Sequence, residues 1–229
     1  MPESRLRKLL EDLRTLPSDV VLGYRNEGAQ GVWKALASRS VHRWFQAGRL
    51  IVFAQPLDAT PEISPPAGIT IGAVTEADCA RLASLVGLRD LARFRALLSK
   101  GRHCIVAWRG SQPVGHGWVY PGIGPENAIW PPPFEFPEYA AYLANLYVLP
   151  GERSKGVGSA LARARLQKAR ELGFREGWRM IAVSNSASLR TIQNSGGRGR
   201  VVGEVRFVKL LTRTHSRFTP HPGSSGEAD

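Results

Sequence analysis

The chain is 229 residues long, 43% hydrophobic and 22% charged, the make-up of a folded globular protein rather than a disordered one. Its 31 Lys and Arg against 19 Asp and Glu give a net charge of +12, which suits an anionic partner: a phosphate-bearing cofactor, nucleic acid or a membrane surface. No run approaches the roughly 20 apolar residues of a membrane span, so the chain is not expected to cross a membrane. Cys79 and Cys104 are too few for a disulfide framework or a zinc cluster, and no metal site is expected.

The N-terminal stretch MPESRLRKLLEDLRTL is charged throughout and lacks the apolar centre of a secretory signal. The expected location is therefore the cytoplasm. Leu6, Leu9, Leu10 and Leu13 share one helical face, which predicts a helix over 4–15. Its basic side chains suit docking on a membrane or a partner, a reading that Glu11 and Asp12 weaken. A second helix is predicted near 31–46 and a short strand over Leu50–Ala54. Pro56, Pro61, Pro65 and Pro66 then cluster among polar residues, the composition of a linker. The expected organisation is an N-terminal extension over 1–60, a linker over 61–68, a folded domain over 69–212 and a disordered tail over 213–229. On that reading a chain begun near residue 66 keeps the domain's ligand binding, and an insoluble product would mean that the extension completes the core.

Within the domain, Ile69–Val74 reads as a strand and Thr75 as the cap of a helix with an acidic first turn. Helices are predicted over 77–87 and 89–100, and strands over His103–Arg109 and Pro113–Tyr120, joined by the hairpin signal Gly110-Ser111. A proline- and aromatic-rich loop follows over 121–137, then a strand over Ala140–Val148. A helix over 157–172 ends at Gly173. Met180–Ser184 reads as a strand, 186–195 as a helix and Arg200–Leu211 as the last strand. This order describes a mixed α/β domain around one sheet.

The chemistry concentrates between the 140–148 strand and the following helix, in Pro150-Gly151-Glu152-Arg153-Ser154-Lys155-Gly156-Val157-Gly158. A helix N-terminus leaves backbone N–H groups unpaired and carries partial positive charge. Glycines let phosphate oxygens approach that backbone, and Arg153 and Lys155 add charge-assisted bonds. The ligand implied is a pyrophosphate. Residues 151–218 hold 15 basic and four acidic side chains, against nine and six in the first 60. No dense basic run marks a nucleic-acid partner. The P-loop pattern fails because Val157-Gly158 stands where Lys-Ser/Thr is needed, and the dinucleotide fingerprint lacks its third glycine.

The stretch from Leu146 to Leu161 resembles the acetyl-CoA loop of the GNAT superfamily of N-acyltransferases, Val-x-Pro-x-x-Arg-x-x-Gly-x-Gly/Ala, and matches it at every element from Val148 to Gly158. Asn185-Ser186-Ala187-Ser188 is similar to a second family element, whose Asn reaches the pantetheine arm or the transfer site. The resemblance extends over 69–211. It implies a mixed central sheet with splayed fourth and fifth strands, helices on both faces, and acetyl-CoA as cofactor. It implies binding by Tyr147, Val148, Arg153, Ser154, Lys155, Gly156, Val157, Gly158, Ser159, Asn185 and Ser188. Backbone N–H groups near Tyr147 and Val148 are then placed to polarise the thioester carbonyl.

Two departures from the family bear on catalysis. Many members carry a Tyr on the last helix that protonates the leaving thiolate; here that position is Ile192, and Tyr147, Tyr142 and Ser188 are the remaining candidates. Many also carry an acidic residue on the fourth strand; here it is Asn145, which holds a water but does not take its proton. His116, between Gly115 and Gly117, is the side chain best suited to act as base, with Glu126, Glu135 and Glu138 of the loop as alternatives. The loop Trp130–Phe136 reads as a lid over the acceptor or as a homodimer contact. Arg43–Asp58 is similar to extensions on bacterial GNAT proteins of surface-polysaccharide synthesis. The leading expectation is acetyl transfer from acyl-CoA to the amine of a small molecule, such as an amino sugar of a glycan precursor. The alternatives are a protein or aminoacyl-tRNA N-acetyltransferase and a CoA-binding module without catalysis.

Overall fold

The structure is a computed structural model. It describes residues 45–58, 62, 64–124, 127, 129–194, 199–210 and 213–222, and before them only 20, 21, 24, 25, 29 and 32. The helix expected over 4–15, most of that expected near 31–46, and Glu126 lie outside the described residues.

The elements in chain order are β1 (Phe45–Pro56), β2 (Ile69–Val74), a 3-10 turn (Glu76–Asp78), α1 (Cys79–Leu98), β3 (His103–Arg109), β4 (Gln112–Tyr120), β5 (Ala140–Val148), α2 (Val157–Glu171), β6 (Glu176–Ala182), α3 (Ser186–Asn194), β7 (Arg200–Leu210) and β8 (Arg213–Pro220). The strands form one eight-stranded sheet in the order β2-β3-β4-β5-β6-β1-β7-β8. Neighbours run antiparallel except β5 and β6, which are parallel. A parallel pair needs a crossover, and α2 supplies it.

The helix pair expected between the first two strands of the domain is present as α1, whose two parts meet at Gly87 with φ 79° and ψ 161°. Only glycine adopts that conformation at low cost, so the break is written in the residue type. The Asp78 carboxylate accepts from the Thr75 N–H and hydroxyl, which closes the expected cap.

Two expected boundaries do not describe the sheet. The strand of the supposed extension is longer than Leu50–Ala54 and lies inside the sheet, hydrogen-bonded to β6 along Leu50–Pro56 and to β7 along Phe45–Ala54. Val52, Ala54 and Gln55 are all buried, as in a strand with neighbours on both edges and a core to cover. The tail expected to be disordered from 213 forms β8 over Arg213–Pro220, paired along β7. Thr214, Ser216 and Phe218 alternate with exposed Arg213, His215 and Arg217, a period-two pattern that the polar composition concealed. The fifth strand of the expected domain also begins earlier, at Glu176 rather than Met180.

Helices cover both faces of the β2–β5 part of the sheet. On one, α1 packs Leu82, Leu91, Phe94 and Leu97 against Val106, Trp118 and Tyr142. On the other, α2 buries Val157, Leu161 and Ala164 against Ile105, Ala107 and Val114. The 121–139 loop is part of this packing rather than a free lid: Phe134 stacks on Trp178 with ring centres 6.1 Å apart, and Phe136 meets the same ring edge-on at 5.6 Å. Trp130 remains 45% exposed. Cys79 and Cys104 are free and buried.

Candidate active site

β5 and β6 pair only where Ala140–Tyr142 meet Glu176–Trp178. Beyond that point they diverge, so the backbone groups of Leu143–Val148 on that edge have no ladder partner. The other edge of β5 stays on β4, with Trp118 opposite Ala144 and His116 opposite Tyr147. Asn145 and Leu146 therefore both oppose Gly117, which is a β-bulge. Asn145 takes the extra residue's strain with φ 46°, a left-handed conformation that Asn tolerates better than most. The bulge bends β5 away from β6 and opens the sheet.

Two clefts reach this opening from opposite faces. The first, about 390 Å³, lies under α1 and is lined by Asp90, Arg93, Phe94, His116, Trp118 and Tyr147, together with Asn145 and Leu146. The second, about 270 Å³, lies between β5, β6 and the two following helices, and is lined by Leu143, Arg165, Arg179, Asn185, Ser188 and Ile192, again with Asn145 and Leu146. Asn145 and Leu146 are thus the wall between the clefts.

The glycine-rich loop stands at the end of β5. Pro150–Glu152 form a 3-10 turn, Ser154 and Gly156 take φ of 61° and 82°, and α2 begins at Val157 with no side chain capping it. Buried Val157 anchors that first turn in the core. The N–H groups of the turn are left without intrahelical acceptors and no Cβ stands at Gly156 in front of them, which fits an anionic ligand. The Arg109 guanidinium forks onto Glu152 at 2.6 and 3.2 Å, and Lys155 lies 3.6 Å from the same carboxylate. These bonds hold the Glu152 carboxyl below its ordinary range and keep the loop's one acid from opposing an anion. The Arg153 Nε donates to the Val148 carbonyl at 3.1 Å, tying the loop to the strand end.

His116 sits on β4 with its ring 5.0 Å from that of Phe94 and 5.9 Å from that of Tyr147. Its Nδ1 has no hydrogen-bond partner among the described residues. Burial, reinforced by the charge of Arg165, pushes its pKa down to about 4. The imidazole is neutral at pH 7 and a weak proton acceptor. Because the unfolded chain takes up the proton first as pH falls, His116 costs stability between pH 6.5 and 4 and nothing above that window. From pH 7 to pH 5 this loss is about 2 kcal/mol. Urea unfolding at both pH values is expected to show His116→Gln losing less than the wild type by that amount; equal losses would place the histidine outside the buried setting described.

The residues singled out in the sequence fall into three groups. Arg153, Ser154, Lys155, Gly156, Val157, Gly158 and Ser159 form the loop and first turn of α2. His116, Asn145 and Tyr147 line the α1-side cleft. Asn185 and Ser188 line the other cleft, where the Asn185 Oδ1 also caps α3 by accepting the Ser188 N–H at 3.0 Å. Tyr142 does not join them; it lies in the aromatic core beside Tyr120 and Phe136. Glu135 and Glu138 are exposed and line neither cleft. Ile192 is buried and lines the second.

Asp90, Arg93, Arg165 and Arg179 were not anticipated. Arg165 had a signal: it stands four residues after Leu161 and eight after Val157, on the buried stripe of α2. Arg179 likewise interrupts the apolar run Trp178-Met180-Ile181.

The profile of the acetyltransferase (GNAT) family matches residues 76–196. No curated protein matches the sequence. Among solved structures, a Drosophila protein aligns over 80% of this chain and 67% of its own, at 14% identity and a TM-score of 0.52. The GCN5-related glucosamine N-acetyltransferase region of a fungal multi-domain GH3 β-N-acetylglucosaminidase aligns over 80% of this chain and 23% of that one, at 15% identity and a TM-score of 0.52. An aminoglycoside acetyltransferase from an uncultured soil metagenomic sample, in complex with sisomicin, aligns over 56% of this chain and 88% of its own, at 20% identity and a TM-score of 0.45. These likenesses are of fold.

Proposed function

The chain belongs to the acetyltransferase (GNAT) family, and from that premise we propose that it transfers an acetyl group from acetyl-CoA to the amine of a small molecule. The observation that carries this reading is the meeting of two clefts at Asn145 and Leu146. One cleft begins near the anion loop and suits the donor; the other opens on the far face and suits the acceptor. The residues that would hold the donor's phosphates are Arg153, Ser154, Lys155 and the N–H groups of Gly156–Ser159. Its arm would run past Asn185 and Ser188 and add to the open edge of β5, as an extended chain adds to a strand. When bound, the group supplies a thioester carbonyl for attack, and N–H groups near Tyr147 and Val148 would polarise it.

The acceptor cleft has the volume of a small-molecule site. Phe94, Trp118 and Tyr147 offer aromatic surface, and Asp90 and Arg93 offer groups for hydroxyls or an amine. An amino sugar suits such walls and is the first acceptor class to test. His116 would contact the acceptor as a neutral imidazole and Asn145 would hold a water that carries the amine proton away; neither titrates near neutrality. The expected rate therefore rises with pH toward the acceptor's own amine pKa, with no inflection near 6.5.

The test is calorimetry with acetyl-CoA, followed by thiol release across pooled amines: amino sugars, amino acids, polyamines and peptides. Binding with release on the amino-sugar pool is the expected result. Release on peptides alone would move the acceptor to proteins. Binding with no release in any pool would overturn the small-amine reading.

A further inference from the structure

The cleft between β5 and β6 contains two cations that the acetyl-transfer reading does not use. Arg165, on α2, and Arg179, on β6, both line it and are only 3% and 5% exposed. A buried charge is costly unless an opposite charge meets it. Among the described residues neither guanidinium has a carboxylate partner. The Arg165 Nη1 donates to the Ala144 carbonyl at 3.1 Å, and the Arg179 Nη2 to the Gln55 Oε1 at 2.7 Å. Both acceptors are neutral. The Nε of each arginine is buried with no hydrogen-bond partner among the described residues.

The neighbouring residues make room for these side chains. A Cβ at Gly117 would lie 2.6 Å from the Arg165 Cδ, so the bare backbone there is what admits the arginine stem. Burial, together with the charge of Arg179, lowers Arg165 to about 9, and burial lowers Arg179 to about 10. Both remain cationic at neutral pH, in one cleft, with unfilled donors. The rest of the wall sets apolar Leu143, Met180, Ile181 and Ile192 beside polar Asn145, Asn185, Ser188 and Thr191. Two buried cations in such a cleft match a short chain that ends in an anion.

We propose that the inner end of this cleft is a carboxylate subsite, in which Arg165 and Arg179 receive the carboxylate of a reactant. Five N–H donors on each planar guanidinium suit the two oxygens of a carboxylate. The carboxylate has two sources: the far end of a dicarboxylic acyl chain carried by CoA, or the acceptor. The assignment of a carrier rests on the acyl-CoA reading above; the subsite itself does not.

The experiment compares succinyl-CoA with butyryl-CoA, a chain of the same length without the charge, by calorimetry on the full chain. Expected is at least about tenfold tighter binding of succinyl-CoA, a preference erased in Arg165→Met and Arg179→Met while butyryl-CoA affinity is kept. The wild-type comparison needs no variant to fold. If the two thioesters bind alike, glycine is compared with glycinamide on protein saturated with acetyl-CoA; tighter binding of glycine, lost in Arg179→Met, assigns the carboxylate to the acceptor. Absence of both preferences while acetyl-CoA binds overturns the subsite. If no thioester binds, the acyl-CoA reading falls and the subsite is judged by the thermal midpoint in formate against chloride at equal ionic strength. A rise in formate, absent in Arg165→Met, upholds it, and no rise overturns it.

Discussion

Gly156→Glu is expected to reduce acetyl-CoA affinity by more than about 100-fold, close to 3 kcal/mol. Three effects add. Gly156 has φ 82°, where a residue with a Cβ is strained by roughly 1–2 kcal/mol. A Cβ there would also meet the Pro66 Cγ at 3.4 Å, tight but tolerable. The largest effect is electrostatic: a carboxylate at the N-cap of α2 would satisfy the unpaired N–H groups itself and repel the phosphates meant for them. Gly156→Ala separates these effects, since it keeps the strain without the charge, and is expected to lose only about tenfold. Calorimetry, with thermal melts to verify folding, reads both. Affinity within tenfold of wild type for the glutamate variant would sink the assignment of this loop.

The second large effect concerns the N-terminal segment. A chain begun at residue 66 is expected not to fold, contrary to what the proline cluster over 56–66 suggests. It would lose β1, which is hydrogen-bonded on both edges, to β6 along Leu50–Pro56 and to β7 along Phe45–Ala54. Val52, Ala54 and Leu57 are each at most 1% exposed. Leu57 packs with Val119, Leu143 and Leu166, beneath β5 itself. Losing a large buried aliphatic side chain alone costs about 2–5 kcal/mol, and whole domains are stable by only about 5–15 kcal/mol. Removing β1 also strips Arg179 of Gln55 and leaves β7 and β8 without attachment to β6. Soluble yield and a circular-dichroism melt test this; a cooperative melt from the shortened chain would refute it. Val52→Asp in the full chain makes the same point with one residue, placing an unpaired charge in the core, and is expected to lower stability by several kcal/mol.

Much of the fold was legible where information is local. The elements from β2 to α3 follow from apolar periodicity, from the Thr75–Asp78 cap, and from Gly87, Gly110 and Gly173, all with positive φ. The loop was legible for the same reason: Pro150, Arg153, Gly156 and Gly158 lie within nine residues, and their chemistry does not depend on anything distant. What was not legible depends on pairing between remote residues. Nothing near Phe45–Pro56 says that it enters the sheet between β6 and β7. A proline cluster signals a turn in the chain and does not say whether the strand before it returns to the same core. The aromatic loop misled in a similar way, since Phe134 and Phe136 look exposed until Trp178, more than forty positions later, is brought against them.

By itself, then, the sequence determined a mixed α/β fold and a glycine-bearing loop at a helix N-terminus, because backbone geometry and capping are set by neighbours in the chain. Tertiary structure decided the rest. It put His116 under α1 and deprived it of solvent, which turned a residue that titrates near neutrality when free into one neutral well below it. It parted β5 from β6 and set Asn145 at the bulge between two clefts. It also brought Arg165 and Arg179 into one cleft, with Gln55 reaching across 124 residues to orient one of them. Burial and the long-range meeting of charges are properties of packed surfaces, and no stretch of neighbouring residues contains them.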